Sequence, residues 1–207
     1  MERTIRWGIL GTGKIARKFA AALAGAKHAD LAAVGSRSPA SAEAFGRDFR
    51  ISRQHGSYEA LARDPEVDAI YIATPHVAHR DNALLCLEAG KAVLCEKPLA
   101  LNAVQGREMA AAAQRRGVFL MEAMWSRFIP AVAKAKELVT AGVIGELRFL
   151  AADFGFRGSP DPEGRALNPE LGGGALLDVG IYPVMLAHWL FGKPAEIVSS
   201  VHRGPTG

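Results

Sequence analysis

The first half of the chain alternates short apolar runs with longer amphipathic, alanine-rich runs. The apolar runs predict β-strands over residues 5–10, 30–35, 67–73, 92–95 and 117–121. The runs between them predict helices over residues 14–23, 38–49, 78–89 and 102–116. Ser38 or Ser41 would cap the second helix, Asn102 the fourth, and Gly90 follows the third. Strands and helices that alternate so regularly predict an α/β fold with a doubly wound parallel sheet.

From about residue 124 the pattern changes. Helices are predicted over residues 131–141 and 175–190, and longer strands over residues 146–154 and 196–201. A Gly-, Pro- and Asn-rich loop of residues 155–173 separates them. We therefore expect a doubly wound domain over residues 1–123 and an α+β domain with a mostly antiparallel sheet over 124–207. One strand, one helix and the start of another strand do not close such a domain, so we expect it to be truncated.

Composition narrows the class of protein. The chain is 49% hydrophobic and 22% charged, and its net charge of +4 is spread without a basic patch, which argues against nucleic acid as a partner. Cys86 and Cys95 are too few for a disulfide framework or a four-ligand zinc site. The N-terminus has no signal-peptide pattern, and the longest apolar stretch, Leu176–Phe191, is interrupted by polar residues, so we expect a cytoplasmic protein without a membrane span.

A glycine motif follows the first predicted strand directly. Residues 11–16 read Gly-Thr-Gly-Lys-Ile-Ala, the G-x-G-x-x-A form of the Rossmann fingerprint. Gly11 would permit the tight turn, and Gly13 would let the backbone approach a pyrophosphate at the helix N-terminus. Glycines of a strand–helix turn can serve the turn alone, but the surrounding pattern favours dinucleotide binding.

The end of the second predicted strand indicates which dinucleotide binds. NAD sites place an acidic residue there for the ribose hydroxyls, whereas this chain has Ser36 and Arg37. A guanidinium suits a 2′-phosphate, so NADP is favoured and NAD stays possible. Arg37 as an ordinary solvated charge is the alternative.

Candidate chemistry follows later strands and the last helix. Thr74, Pro75, His76 and His79 come after one strand, but two histidines without a third ligand do not favour a metal site. Glu96, Lys97 and Pro98 end the next strand, where ligands of such sheets bind. Asp178 and Tyr182, four residues apart, share a helix face and could form an acid–base cluster with a lysine. A core tyrosine and a helix-dipole carboxylate are the structural alternatives for that pair.

Taken together, these motifs resemble the Gfo/Idh/MocA family of NAD(P)-dependent oxidoreductases. The glycine loop, Thr-Pro-x-x-x-His, Glu-Lys-Pro and Gly-Gly-Gly-x-x-x-Asp-x-Gly-x-Tyr occur in the family's order from Gly11 to Tyr182. The segment of residues 121–130 is similar to the branch of dimeric dihydrodiol dehydrogenase, D-xylose dehydrogenase and glucose–fructose oxidoreductase. His76 stands where many members carry Asn.

The resemblance implies a role for each matching residue. Lys97 and Tyr182 would be catalytic, and Asp178 would orient Tyr182 and the substrate. Trp125, Phe154, Asp178 and Tyr182 would contact the substrate. Cofactor contacts would come from Gly11, Thr12, Gly13, Lys14, Ile15, Ser36, Arg37, Thr74, Pro75, His79, Glu96 and Lys97.

The activity implied is that of an NADP-dependent dehydrogenase or reductase. It would move a hydride between nicotinamide and the hydroxyl carbon of an aldose sugar or cyclic trans-diol, in a protein that forms a homodimer or higher oligomer. Two alternatives stay open. One is a family member that oxidises its substrate only transiently during glycoside cleavage or epimerisation, and the other is a catalytically inert NADP-binding sensor.

Overall fold

The structure is a computed structural model that describes residues 3–158, 161–202 and 204. The chain divides into two compact units, Met1–Ala123 and Met124–Gly207. Part of the predicted loop, residues 159 and 160, lies outside the described residues.

The first unit is built on a six-stranded parallel sheet. Its strands are β1 (Ile5–Leu10), β2 (Ala29–Gly35), β3 (Arg53–His55), β4 (Ala69–Ile72), β5 (Ala92–Cys95) and β6 (Leu120–Glu122). They lie in the order β3-β2-β1-β4-β5-β6, and every neighbouring pair is parallel. The predicted doubly wound sheet is therefore confirmed. The order reverses between β1 and β4, which is where sheets of this kind bind ligands at their carboxyl ends.

Five helices connect these strands. They are α1 (Lys14–Leu23), α2 (Pro39–Phe49), α3 (Tyr58–Ala62), α4 (His79–Glu88) and α5 (Ala103–Arg116). Ser38, rather than Ser41, caps α2, and Asn102 caps α5 by accepting two backbone N–H groups. Gly117 ends α5 in the left-handed conformation, so the strand predicted from residue 117 begins only at Leu120. The short elements β3 and α3 have no counterpart among the predictions.

Alternation along the strands builds a hydrophobic core on each face of the sheet. Ile9 on β1 packs with Phe45 of α2, whereas its neighbour Leu10 packs in the other cluster, with Leu87 of α4. All four side chains are 0% exposed. Both faces of the sheet are covered, which explains why the strands read as nearly continuous apolar runs.

The regular elements of the second unit are helices within the described residues. It contains α6 (Pro130–Thr140), a π-helical segment Leu176–Gly180 and α7 (Ile181–Phe191). The strands predicted over residues 146–154 and 196–201 are wrong for this structure, because neither segment has ladder hydrogen bonds in the described part of the chain. A strand needs a paired neighbour to satisfy its backbone groups, so an alternating pattern alone does not produce one.

One apolar stretch of the second unit bears on the expectation that the chain has no membrane span. The stretch Pro169–Phe191 is 23 residues long with a mean hydropathy of 1.4 in its most apolar window, which is enough to cross a membrane by length and composition alone. The same stretch contains Asp178, whose carboxylate pairs with Arg165. A single stretch of this kind is weak evidence for a span.

Candidate active site

The turn between β1 and α1 has the geometry that a phosphate site requires. Gly11 has a φ of +103°, and a Cβ atom there would lie 2.9 Å from the carbonyl oxygen of Ala73. At Gly13, the N-cap of α1, a Cβ would meet no atom within 4 Å among the described residues other than its two chain neighbours. No described side chain caps α1, and its first turn contains no acidic residue. A helix start without a side-chain cap and without an acidic residue in its first turn suits an anion.

The other residues of this turn frame the same opening. Thr12 is half-buried, whereas Lys14 is exposed and Ile15 is 42% exposed. Thr12 and Lys14 flank Gly13 directly, and the exposure of Lys14 and Ile15 keeps the outer side of the turn accessible. The loop thus leaves room for a phosphate group while its backbone supplies the donors.

The end of β2 is held in place by its neighbour on the sheet. The backbone N–H of Ser36 donates to the carbonyl of His55 at 3.0 Å, and the Ser36 hydroxyl accepts from the N–H of Ser38 at 3.2 Å. Ser36 is 7% exposed, and Arg37 next to it is exposed. A hydrogen-bonded hydroxyl beside an exposed guanidinium fits a 2′-phosphate better than bare ribose hydroxyls, which an acidic residue would bind.

His79 joins two loops at the carboxyl edge of the sheet. Its Nδ1 lies 2.8 Å from the carbonyl oxygen of Pro98, and its Nε2 lies 3.0 Å from that of Thr74. Burial lowers the pKa of His79, and the two carbonyl contacts oppose that shift. The side chain is 0% exposed, so it has no surface with which to touch a cofactor directly. Its contribution is to position the loops that carry Thr74 and Pro98.

Thr74 and Pro75 form the start of this edge. The hydroxyl of Thr74 accepts a hydrogen bond from the side-chain amide of Asn82 at 3.1 Å. Thr74 is half-buried and Pro75 is exposed, so both offer surface at the edge. Within the described ranges, no group of three or more His, Cys, Asp or Glu residues is placed to hold a metal ion.

Glu96 and Lys97 lie at the end of β5. The hydroxyl of Tyr71, on the adjacent strand β4, donates to Oε1 of Glu96. The other oxygen of the Glu96 carboxylate accepts from the backbone N–H of Lys97 at 3.2 Å. Lys97 is half-buried, and its peptide bond to Pro98 is cis. Tyr71 was not among the predicted residues, because in sequence it reads as one more apolar position of a buried strand.

In the second unit an arginine holds Asp178. Both terminal nitrogens of Arg165 lie 3.2 Å from the two carboxylate oxygens of Asp178, which is a bidentate arrangement. The Asp178 side chain is 12% exposed, and the Arg165 side chain is 48% exposed. Arg165 lies in a loop with no motif that singles it out, so only the structure reveals this pair.

Tyr182 is surrounded by the two aromatic residues that the resemblance implied. The indole N–H of Trp125 donates to the Tyr182 hydroxyl at 2.9 Å. The ring of Phe154 meets the Tyr182 ring edge to face, with centroids 5.3 Å apart. Trp125 and Phe154 therefore both contact Tyr182 directly. Their side chains remain more than half exposed, at 58% for Trp125 and 52% for Phe154.

The structure thus groups the predicted residues into two sets. The first unit holds the glycine turn, Ser36, the Thr74 loop and Lys97, all at the carboxyl ends of its strands. The second unit brings Trp125, Phe154 and Tyr182 together and places Asp178 one helical turn earlier, in the π-helical segment. Such π-helical segments occur frequently at functional sites.

Two family models match the chain. Residues 5–124 match the model of an oxidoreductase family with an NAD-binding Rossmann fold, GFO/IDH/MocA. Residues 132–206 match the C-terminal domain of the same family.

Curated relatives extend the match over nearly the whole chain. It is 48% identical over 203 residues to trans-1,2-dihydrobenzene-1,2-diol dehydrogenase of Mus musculus, covering 96% of this chain and 60% of the relative. The Homo sapiens protein of the same name is 42% identical over 207 residues, with 98% of this chain and 61% of the relative covered. The chain therefore spans about three fifths of the length of these relatives.

Solved structures of oxidoreductases are also similar to this chain. The aldose-aldose oxidoreductase of Caulobacter crescentus, complexed with glycerol, is similar with a TM-score of 0.86 and 35% identity, over 92% of this chain and 58% of that one. The 3-ketoreductase KijD10 of Actinomadura kijaniata, in complex with NADP and TDP-benzene, has a TM-score of 0.82 and 34% identity over the same shares. With a fold, a glycine turn and two family models that agree, the chain belongs to the Gfo/Idh/MocA family of oxidoreductases.

Proposed function

We propose that this chain belongs to an NADP-dependent oxidoreductase that moves a hydride between nicotinamide and the hydroxyl-bearing carbon of an aldose sugar or a cyclic trans-diol. The observation that carries the proposal is the open, uncapped N-terminus of α1 at Gly13, beside a β2 end that presents Ser36 and Arg37 without a carboxylate. The names of the relatives, a diol dehydrogenase and an aldose oxidoreductase, support this substrate class.

The residues present fit a bound NADP. The N–H groups at the start of α1 would receive the pyrophosphate, and Ser36 with Arg37 would receive the 2′-phosphate. Thr74, Pro75 and Glu96 would form the wall near the ribose and nicotinamide, with His79 holding that wall from beneath. When bound, the nicotinamide supplies the carbon that accepts or donates the hydride.

The proton would be handled by the second unit. The Tyr182 hydroxyl is the group that takes the proton from, or returns it to, the substrate hydroxyl, and the indole N–H of Trp125 orients that hydroxyl. Asp178, held by Arg165, would accept a hydrogen bond from the substrate and keep it in register. Lys97 would be the second catalytic residue, as the resemblance implies.

Fluorescence titration of the chain with NADPH and with NADH tests the cofactor assignment. We expect NADPH to bind at least about tenfold more tightly, which corresponds to about 1.4 kcal/mol. Arg37→Ala should remove most of this preference, because the guanidinium would contact the 2′-phosphate, which NADH lacks. The control Arg47→Ala, at an exposed position of α2, should retain it. Equal or tighter binding of NADH by the wild-type chain would overturn the assignment.

Turnover tests the reaction itself. The whole protein should reduce NADP⁺ when given aldose sugars or cyclic trans-diols, and Lys97→Met should abolish this without preventing NADPH binding. Turnover of a glycoside without net change in NADPH would instead favour transient oxidation, and binding without any turnover would favour a sensor.

Location and assembly complete the proposal. Cys86 and Cys95 are both free and buried, and burial raises the pKa of Cys86 to about 12, which fits unreactive thiols of a cytoplasmic protein.

The exposed apolar side chains of the second unit, such as Phe149 at 78%, support a homodimer or higher homo-oligomer. Light scattering of the whole protein would show a monomer if this proposal is wrong.

A further inference from the structure

A column of three aromatic rings, of which Tyr71 is buried and the other two half-buried, ends at the strand beside the turn that carries Lys97. Tyr71 on β4 is 2% exposed, and its ring stacks on Phe19 of α1 with centroids 3.9 Å apart and planes 16° from parallel. Phe19 in turn meets Trp7 of β1 edge to face at 5.4 Å. The column joins the helix whose N-terminus faces the phosphate opening to the strand that runs beside β5.

The hydroxyl of Tyr71 is the one polar atom at the end of its ring, and it donates to Oε1 of Glu96. Burial, together with the charge and hydrogen bond of Glu96, raises the pKa of Tyr71 strongly, so the hydroxyl keeps its proton and remains a donor. A donor in this environment restrains the carboxylate strongly, because hydrogen bonds to charged groups are stronger than neutral ones.

Glu96 passes this restraint to the next residue. Its Oε2 accepts from the backbone N–H of Lys97 at 3.2 Å, while its own N–H donates to the carbonyl of Ile72 at 3.0 Å. The carboxylate thus has one oxygen on Tyr71 and the other on the Lys97 backbone. A change in the orientation of the carboxylate would shift both contacts together.

We propose that Tyr71 is a positioning residue, which fixes the Glu96 carboxylate and through it the backbone of Lys97 at the nicotinamide end of the cofactor site. The proposal rests on the proposed function for the identity of that site. Packing alone does not require a tyrosine here, because phenylalanine would keep the stack on Phe19 and the burial. The hydroxyl is therefore the atom whose role has to be tested.

The test is a double-mutant cycle of Tyr71→Phe and Glu96→Gln, with NADPH affinity of the chain measured by fluorescence. We expect Tyr71→Phe to weaken NADPH binding about tenfold, about 1.4 kcal/mol. The same substitution in the Glu96→Gln background should change the affinity less than about twofold, because the two act as one unit. Tyr58→Phe, in helix α3 and outside this site, is the matched control and should bind as wild type. An equal loss in both backgrounds, or no loss in either, would overturn the proposal.

A second readout needs no nucleotide. In ¹⁵N–¹H spectra of the chain, Tyr71→Phe should shift the Lys97 amide resonance, whose proton is donated to Glu96, and Tyr58→Phe should leave it in place. An unchanged Lys97 amide resonance in Tyr71→Phe would contradict the positioning role of Tyr71, even if the variant binds NADPH. If the wild-type chain binds neither nucleotide, the proposed function fails, and the Lys97 resonance still decides whether Tyr71 positions this turn.

Discussion

The two units use apolar side chains in opposite ways. In the first unit Ile9 and Ile70, at the centre of the sheet, are 0% exposed. In the second unit Phe149 and Val198, in segments that the sequence pattern also predicts as strands, are 78% and 86% exposed. The difference teaches that an apolar pattern predicts a strand reliably only where other strands of the chain pair with it.

The candidate site is divided along the same line. The loops proposed to bind the nucleotide belong to the unit with a closed core, and the residues proposed to exchange the proton belong to the unit whose apolar surface is exposed. Binding and proton transfer are therefore expected to respond differently to substitution. The following predictions use that difference.

The largest effect should come from Tyr182→Phe in the whole protein. Removal of the proton-exchanging hydroxyl should lower kcat by roughly 10²–10⁴-fold, the usual contribution of general acid–base catalysis. NADPH affinity should stay within about twofold, because the nucleotide loops lie in the other unit. Steady-state kinetics and a fluorescence titration measure the two effects. A similar loss of NADPH affinity in Tyr182→Phe would contradict the proposal that binding and proton transfer depend on different units.

The next largest effect should be a difference in the free energy of unfolding between substitutions of buried apolar residues in the first unit and exposed apolar residues in the second. Ile70→Ala removes a fully buried side chain from the sheet and should lower the free energy of unfolding by about 2–5 kcal/mol. Val198→Ala removes a side chain that is 86% exposed and should change it by less than about 0.5 kcal/mol. Urea unfolding of the chain measures both. A large loss of unfolding free energy in Val198→Ala would show that its segment is packed in solution, and would contradict the difference in burial between the two units.

The two glycines of the first turn should separate folding from binding. Gly11→Ala should cost about 1–3 kcal/mol of stability, because φ is +103° and the new Cβ would crowd the Ala73 carbonyl. Gly13→Ala has open space and should leave stability within about 0.5 kcal/mol while weakening NADPH binding by about tenfold or more. Unfolding and titration of the same samples distinguish the two. Normal NADPH binding by Gly13→Ala would contradict the phosphate site.

The smallest effect should be an acid-sensitive one in the first unit. Burial alone would raise the pKa of Asp64, but hydrogen bonds from Arg53, the Glu66 N–H and His55 outweigh it and hold that pKa well below its usual range. A lowered pKa in the folded state stabilises the protein above the unfolded value of about 3.9, and that stability is lost as the pH falls through and below it.

Asp64→Asn should therefore lower stability by about 1–2 kcal/mol at neutral pH, with solvent screening the half-exposed Arg53. The difference from wild type should shrink as the pH is lowered below about 4. Asp81→Asn, whose side chain is 73% exposed, is the matched control and should follow the wild-type curve. A constant Asp64→Asn deficit at every pH would exclude this ionic contribution.

Much of the first unit could be predicted from local signals. Strand β1, helix α1 and the Gly11 turn follow from patterns within about twenty residues, and the Asn102 cap needs only its own helix. The exceptions are short or ambiguous, such as β3, whose three residues show no periodicity. In sequence Gly117 reads as the start of an apolar run, which predicts a strand. In the structure it adopts the left-handed conformation and ends helix α5 instead.

The candidate site was predictable as a set of residues but not as a set of contacts. Resemblance drew attention to Glu96 and Tyr182, yet the donors that hold them, Tyr71 and Trp125, are 25 and 57 residues away in sequence. Arg165 pairs with Asp178 from a loop that shows no periodicity. Contacts of this kind depend on how the chain folds back on itself, which no local pattern records.

By itself, the sequence determined the parallel sheet, the glycine turn and the family, because each depends on residue type at short spacing. Only the tertiary structure decided that His79 is buried between the Thr74 and Pro98 carbonyls, that Tyr71 holds Glu96 and that the segment around Phe149 is not a strand. The physical reason is the same in all three cases. Burial and hydrogen-bond pairing are properties of the neighbours a residue acquires on folding, and those neighbours are distant in the chain.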